Sequence, residues 1–136
     1  MTSQLNPYLG FDGNAREAME FYRSVFGGEL TMNTHGEFGN DDPAFRDKIM
    51  HARLDTTDGY TLMGADMMPG ASAPSGDAFS VSVTGDDPKL REYFDRLAEG
   101  GQVSVKLEKQ MWGDEFGQLV DRFGVAWMVN IGQPQG

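Results

Sequence analysis

Gly13–Leu30 reads GNAREAMEFYRSVFGGEL, and Asp86–Val103 reads DDPKLREYFDRLAEGGQV. Each stretch opens on a residue that favours a helix start, runs through a charged amphipathic segment, and closes on Gly-Gly before an apolar or extended run. In the first, Asn14 with Glu17 three residues on predicts an N-cap and capping box. Ala15, Ala18, Met19, Tyr22, Val25 and Phe26 follow at helical spacing as one buried stripe, with Arg16, Glu17, Glu20 and Arg23 off it. Gly27-Gly28 supplies the left-handed stop. In the second, Asp86 or Asp87 caps, Pro88 falls near the first turn, Leu90, Tyr93, Phe94 and Leu97 form the stripe, and Gly100-Gly101 ends it. A helix repeated together with its punctuation predicts a repeated unit around it.

Alternating segments flank both helices. Residues 5–11 (LNPYLGF) predict a strand with Leu9 and Phe11 on one face and Asn6, Tyr8 and Gly10 on the other. Glu29 to about Thr34 predicts a second. The turn formers of HGEFGNDDP (35–43) predict a mobile loop. From Lys48 to Thr56, Met50, Ala52 and Leu54 share one face while Ile49, His51, Arg53 and Asp55 share the other. A TDG turn then leads to a strand at Tyr60–Ala65. After residue 77 the series restarts: Phe79, Val81 and Val83 alternate with Ser80, Ser82 and Thr84. Strands are predicted at about 103–108, 115–121 and 125–131, the last two separated by RFG. Gly59 precedes YTLMGA as Gly124 precedes VAWMVN.

The prediction is an α+β fold in a single domain, 1–136, made of two βαβββ modules at about 5–66 and 77–131. The linker-like DMMPGASAPSGD, about 66–77, joins them. One such module cannot easily bury its sheet face alone. Two paired modules predict a curved, incompletely closed mixed sheet with helices outside and a cavity inside. A long antiparallel sandwich is the alternative, and two matching helices at matching places count against it.

Composition narrows the function classes. The formal net charge of −10 argues against nucleic acid, whose phosphates are bound by clustered Lys and Arg. The absence of cysteine excludes disulfides, a thiolate nucleophile and a thiolate metal site, and suits a reducing compartment. The start MTSQLNPYLGF has no basic segment leading into an apolar run, and nowhere do roughly 20 apolar residues follow one another. A cytoplasmic protein without membrane contact is expected.

PYLGF with GNAREAMEFYRSVFGGE, then IMHARL, LMGAD and WGDEFGQLVDRFGVAWMVN, span almost the entire chain. Together they resemble the vicinal oxygen chelate superfamily (the glyoxalase, bleomycin-resistance and dioxygenase group), and most closely its PhnB-like branch. The resemblance implies paired βαβββ modules, a homodimer, and a small-molecule site in the concave sheet. Metal-dependent members place His, Gln or Glu ligands on inward positions of the first and last strands of each module. By strand register the matching positions here are about Asn6, Met63, Ala78 and Met128. Thioether and methyl groups do not replace imidazole or carboxylate around Zn, Ni, Mg or Mn. A one-residue slip reaches only Asp77 and inverts the strand faces. No metal and no cofactor are therefore expected, and glyoxalase, ring-cleaving dioxygenase and metal-dependent thiol transferase activities are not.

The expected function is a metal-independent small-molecule binding protein of unknown ligand. The alternatives are a superfamily enzyme using His51 and Arg53 or a non-standard metal site, and a non-catalytic regulatory or assembly dimer. His51 and Arg53 form a candidate polar pair for an anionic or carbonyl-bearing ligand, with His51 as a candidate general base. The alternative, favoured for a solitary histidine, is a ring hydrogen-bonded to a neighbouring strand or placed at a dimer contact. Tyr8, Met63, Trp112, Phe116, Trp127 and Met128 are candidates for an aromatic, thioether-rich pocket, and Asn130 shares the inward parity of Met128 as a further ligand-binding candidate. Trp127 is expected in the core, His35 in solvent, and Asp66 and Asp121 as caps. Some PhnB-like relatives carry a ubiquinone-methyltransferase label. This sequence has no G-x-G-x-x-G loop and no alternating parallel α/β pattern to hold a methyl donor.

Overall fold

The computed structural model describes residues 5–67 and 79–132. Most of the predicted linker, together with Asp77 and Ala78, lies outside the described residues. The chain divides into two units, residues 1–73 and 74–136. The first contains β1 (Tyr8–Phe11), α1 (Ala15–Phe26), β2 (Glu29–Thr34), a 3-10 turn (Gly36–Phe38), β3 (Ile49–Asp55) and β4 (Thr61–Asp66). Its sheet runs β1-β4-β3-β2, with β1 parallel to β4 and the other pairs antiparallel. The second contains β5 (Val81–Gly85), α2 (Leu90–Ala98), β6 (Gln102–Lys109), β7 (Glu115–Val120) and β8 (Ala126–Ile131). It repeats the order as β5-β8-β7-β6, again with one parallel pair, β5 with β8. The duplication read from the helices is thus present strand for strand, in an α+β fold of two mixed sheets.

Each helix covers one face of its own sheet. All six stripe residues of α1 are buried, as are the four of α2. They meet Phe11, Ala52, Leu54 and Leu62 in the first unit and Val83, Leu119, Trp127, Val129 and Ile131 in the second. Ile49 joins the buried set at 1% exposure, although simple alternation places it with His51. The β2–β3 register explains the difference. Asn33 pairs with His51 but Thr34 pairs with Ile49, so Met50 is an extra residue in a bulge and the parity flips there.

The Gly-Gly pairs serve two separate needs. Gly27 and Gly100 take φ of 72° and 76°, the left-handed region where a side chain is strained. Gly28 and Gly101 are required by proximity, Gly28 taking a left-handed φ of 101° as well. A Cβ on Gly28 would lie 2.7 Å from the Thr56 Cα, and one on Gly101 would lie 2.8 Å from the Asp121 Cα. The backbone leaving each helix therefore runs directly over the start of the following β-hairpin turn.

Three local expectations change. Asn14 makes no side-chain cap bond; instead Asp66, at the far end of β4, accepts the Ala15 N–H at 2.9 Å. Its other oxygen accepts the Ile49 N–H at 2.8 Å. The second helix begins later than its capping signal, because Asp87 bonds Lys89 N–H and its carbonyl takes Leu90 N–H in a tight turn. Ordered pairing starts at Tyr8 and Val81 rather than at residues 5 and 79, and Leu5 and Phe79 are exposed.

Asp66→Ala would leave two backbone donors without their acceptor. Each such loss costs about 1–3 kcal/mol, so urea titration should show a loss in that range or above it, and an unchanged midpoint would refute the capping role. Gly101→Ala should cost about 2 kcal/mol or more from overpacking. Gly124→Ala, whose added Cβ meets open space at φ 87°, should cost only about 1 kcal/mol for the left-handed backbone. Equal losses at the two positions would contradict the steric account.

Candidate functional site

Alternation places a second set of side chains on the face of each sheet turned away from its helix. In the first unit one row across the sheet is Tyr8, Met63, Arg53 and Thr31. His51 stands two residues from Arg53 on the same strand face, opposite Asn33. Tyr8 and His51 come together: the Tyr8 hydroxyl lies 3.0 Å from His51 Nδ1, and the ring centroids are 5.7 Å apart. Tyr8 remains 54% exposed, so the pair is accessible from outside its sheet. No hydrogen bond to His51 Nε2 is found among the described residues.

Arg53 turns the other way along the strand. Its Nε donates to both Asp55 oxygens, at 3.0 and 3.2 Å, and Thr61 donates its hydroxyl to Asp55 at 3.1 Å. The hydrogen bond from Arg53 holds the Asp55 carboxyl below the usual carboxylate range, with partial desolvation opposing it and the Thr61 hydroxyl adding to it. Asp55 in turn raises the Arg53 guanidinium above its ordinary value. His51 and Arg53 thus share one strand face, each with its own partner, Tyr8 and Asp55. Asp55 was visible in the sequence as the next residue of the same parity after Arg53, with opposite charge.

The corresponding face of the second unit is built differently. One row is Ser82, Met128 and Gln118; the next is Thr84, Asn130, Phe116 and Glu108. Ser80 donates to the Met128 sulfur at 3.1 Å, and Asn130 Nδ2 donates to Asp114 at 3.1 Å. Trp112, 60% exposed, meets Phe116 edge-on with centroids 6.2 Å apart. Trp127 is core: it is 1% exposed, and its indole N–H donates to Asp121 at 2.9 Å. Asp121 also accepts the Phe123 and Val125 N–H groups.

Of the four positions matched to metal ligands, Met63 and Met128 lie half-buried on the helix-free faces, Asn6 precedes β1, and Ala78 is outside the described residues. Among the described residues no group of three or more His, Cys, Asp and Glu side chains is arranged to hold a metal ion. No helix among them is long and apolar enough to cross a membrane.

This architecture defines the class. The structure superposes on a glyoxalase/bleomycin resistance protein/dioxygenase domain from Frankia with a TM-score of 0.68 at 12% identity, covering 100% of this chain and 96% of that one. That likeness establishes the vicinal oxygen chelate fold. Residues 3–130 match the family described as 3-demethylubiquinone-9 3-methyltransferase, and the chain belongs to that PhnB-like family. Protein PA1353 from Pseudomonas aeruginosa is 40% identical, with a TM-score of 0.85 over 98% of this chain and 100% of its own. A PhnB protein from Bacillus cereus, described by the same methyltransferase name, is 25% identical with a TM-score of 0.78 over 96% and 100%.

The Arg53–Asp55 pair makes a signed pH prediction. A depressed folded-state pKa contributes stability above the unfolded value, and that contribution is lost as pH falls through the folded value. The difference in thermal midpoint between parent and Asp55→Asn should be present at neutral pH and close as pH is lowered below about 4. A gap that survives at lower pH would show that the pair does not carry it.

Proposed function

We propose that this protein is a metal-independent, small-molecule binding member of its superfamily, acting as a homodimer in the cytoplasm. The observation that carries the reading is the Tyr8–His51 hydrogen bond on an open sheet face, beside Met63, where metal-dependent relatives would offer a ligand side chain. A thioether contributes polarizable apolar contact and not a hard donor for Zn, Mg or Mn. The phenol and imidazole supply a flat surface with a directional polar edge, which suits a planar ligand bearing a carbonyl or hydroxyl.

The methyl transfer in the family's name finds little support in the chain's own parts. Both sheets are mixed with a single parallel pair, and no glycine-rich phosphate loop precedes either helix. A catalytic reading has one feature in its favour. A hydroxyl on Nδ1 orients the imidazole, leaving Nε2 as the atom that would exchange a proton with a ligand.

A thermal-shift panel of planar carbonyl and phenolic metabolites in the presence of EDTA tests this, because a ligand that binds only the native state raises the midpoint. At least one compound should stabilise the parent, and Tyr8→Phe and His51→Gln should each weaken it about tenfold with the unliganded midpoint little changed. Stoichiometric stabilisation by Ni, Zn, Mn or Mg would sink metal independence. Hits indifferent to both substitutions would remove the site from this face. Turnover abolished by His51→Gln but not by Tyr8→Phe would favour the enzyme.

A further inference from the structure

The second unit carries a constellation that the Tyr8–His51 reading does not use. The β6–β7 connection, Gln110–Asp114, is closed by hydrogen bonds from Gln110 N–H to the Asp114 carbonyl and from Gly113 N–H to the Gln110 carbonyl. Gly113 sits at φ 102°, which lets the turn fold tightly. The closed turn presents Trp112 beside Phe116, and Asp114 beside Asn130. Phe116 and Asn130 are direct cross-strand partners, so all four side chains converge on one corner of the sheet.

The charges around this corner are unevenly satisfied. Arg91, in the first turn of α2, forms a two-point pair with Glu115, and Lys109 adds its field to the same carboxylate. These cations address Glu115, whose carboxyl they hold below its usual range. Asp114 makes no ion pair among the described residues; it accepts a hydrogen bond from the neutral amide of Asn130. A half-buried carboxylate without a cation thus lies next to an exposed indole and a second aromatic ring.

We infer that Trp112, Phe116, Asp114 and Asn130 form a subsite for a small organic ammonium ion. Aromatic faces attract a cation through their quadrupole, and a poorly hydrated ammonium gains most there. The carboxylate supplies the compensating charge, and the net charge of −10 raises the local concentration of cations. The Trp112 ring, at 60% exposure, has surface left for a ligand to cover. Only second-unit residues take part, so the inference stands or falls separately from the Tyr8–His51 site.

The test compares choline with its uncharged isostere 3,3-dimethylbutanol by NMR titration of the full chain. The indole N–H of Trp112 and the side-chain amide of Asn130 are the reporters. The Trp127 indole, held by Asp121, monitors the fold. Choline should shift both reporters saturably, with the isostere at least about tenfold weaker. Asp114→Asn should weaken choline toward the isostere's level, and Trp112→Leu should abolish the Asn130 shift while the Trp127 signal stays in place. Equal binding of the two probes, unchanged choline affinity in Asp114→Asn, or the absence of a saturable shift would each overturn the subsite.

Discussion

A single carboxylate gathers three element ends in the first unit. Asp66 closes β4, and its two oxygens take the first N–H of α1 and the first N–H of β3. It is 9% exposed, so neither donor is readily traded for water. A buried donor left alone costs more than an average hydrogen bond gains, which makes this junction asymmetric: replaceable only by another acceptor of similar reach. The consequence runs through the sheet. With α1 anchored to the end of β4, the parallel β1–β4 pair is held in register, and the helix stripe lies over Ala52, Leu54 and Leu62. The opposite parity then turns Tyr8, His51 and Arg53 away from the helix.

The second unit solves a related problem in another place. Asp121 accepts two turn N–H groups and the Trp127 indole, fixing the hairpin between β7 and β8. Thr56 does the smaller version of this in the first unit, with its hydroxyl accepting the Tyr60 N–H at the corresponding turn. Both turns carry a left-handed glycine, Gly59 and Gly124. Aligning the units on those glycines pairs Met63 with Met128, and the parallel rows then pair Tyr8 with Ser82. His51 falls opposite Phe116, Arg53 opposite Gln118, and Asp55 opposite Val120. The scaffold has been kept and the open face rewritten, with a phenol–imidazole pair and an arginine–carboxylate pair in the first unit and aromatic, amide and carboxylate groups in the second.

This division explains what was legible in the residues. Helix stripes and paired glycines are local, short-range patterns, and all ten stripe positions and both stops could be read directly. Strand parity was legible until a bulge intervened: nothing local marks Met50 as the extra residue, so Ile49 was assigned to the wrong face. The capping box failed for a different reason. Asn14 and Glu17 have suitable spacing, but the helix start is held instead by Asp66, far along the chain, through the Ala15 N–H, a tertiary contact that no window around Asn14 contains. At the site, the shared face of Tyr8 and His51 followed from alternation, whereas their contact depends on β1 and β3 both flanking β4. That adjacency is a property of the parallel crossover, not of either strand.

The pairing of cations also constrains the kind of ligand these faces suit. Arg53 was the natural candidate for holding an anion, yet Asp55, itself steadied by the Thr61 hydroxyl, already engages it. In the second unit Arg91 is engaged by Glu115. An anionic ligand would have to displace a carboxylate already in position, and would do so against a chain carrying ten more acidic than basic side chains. At Tyr8–His51 the available groups are a phenol and an imidazole, which recognise neutral hydrogen-bonding edges as well as charged ones. Asp114 extends the same logic to the opposite sign. The electrostatics thus select against the phosphate and carboxylate chemistry that a bare Arg53 suggests, and toward neutral or cationic molecules.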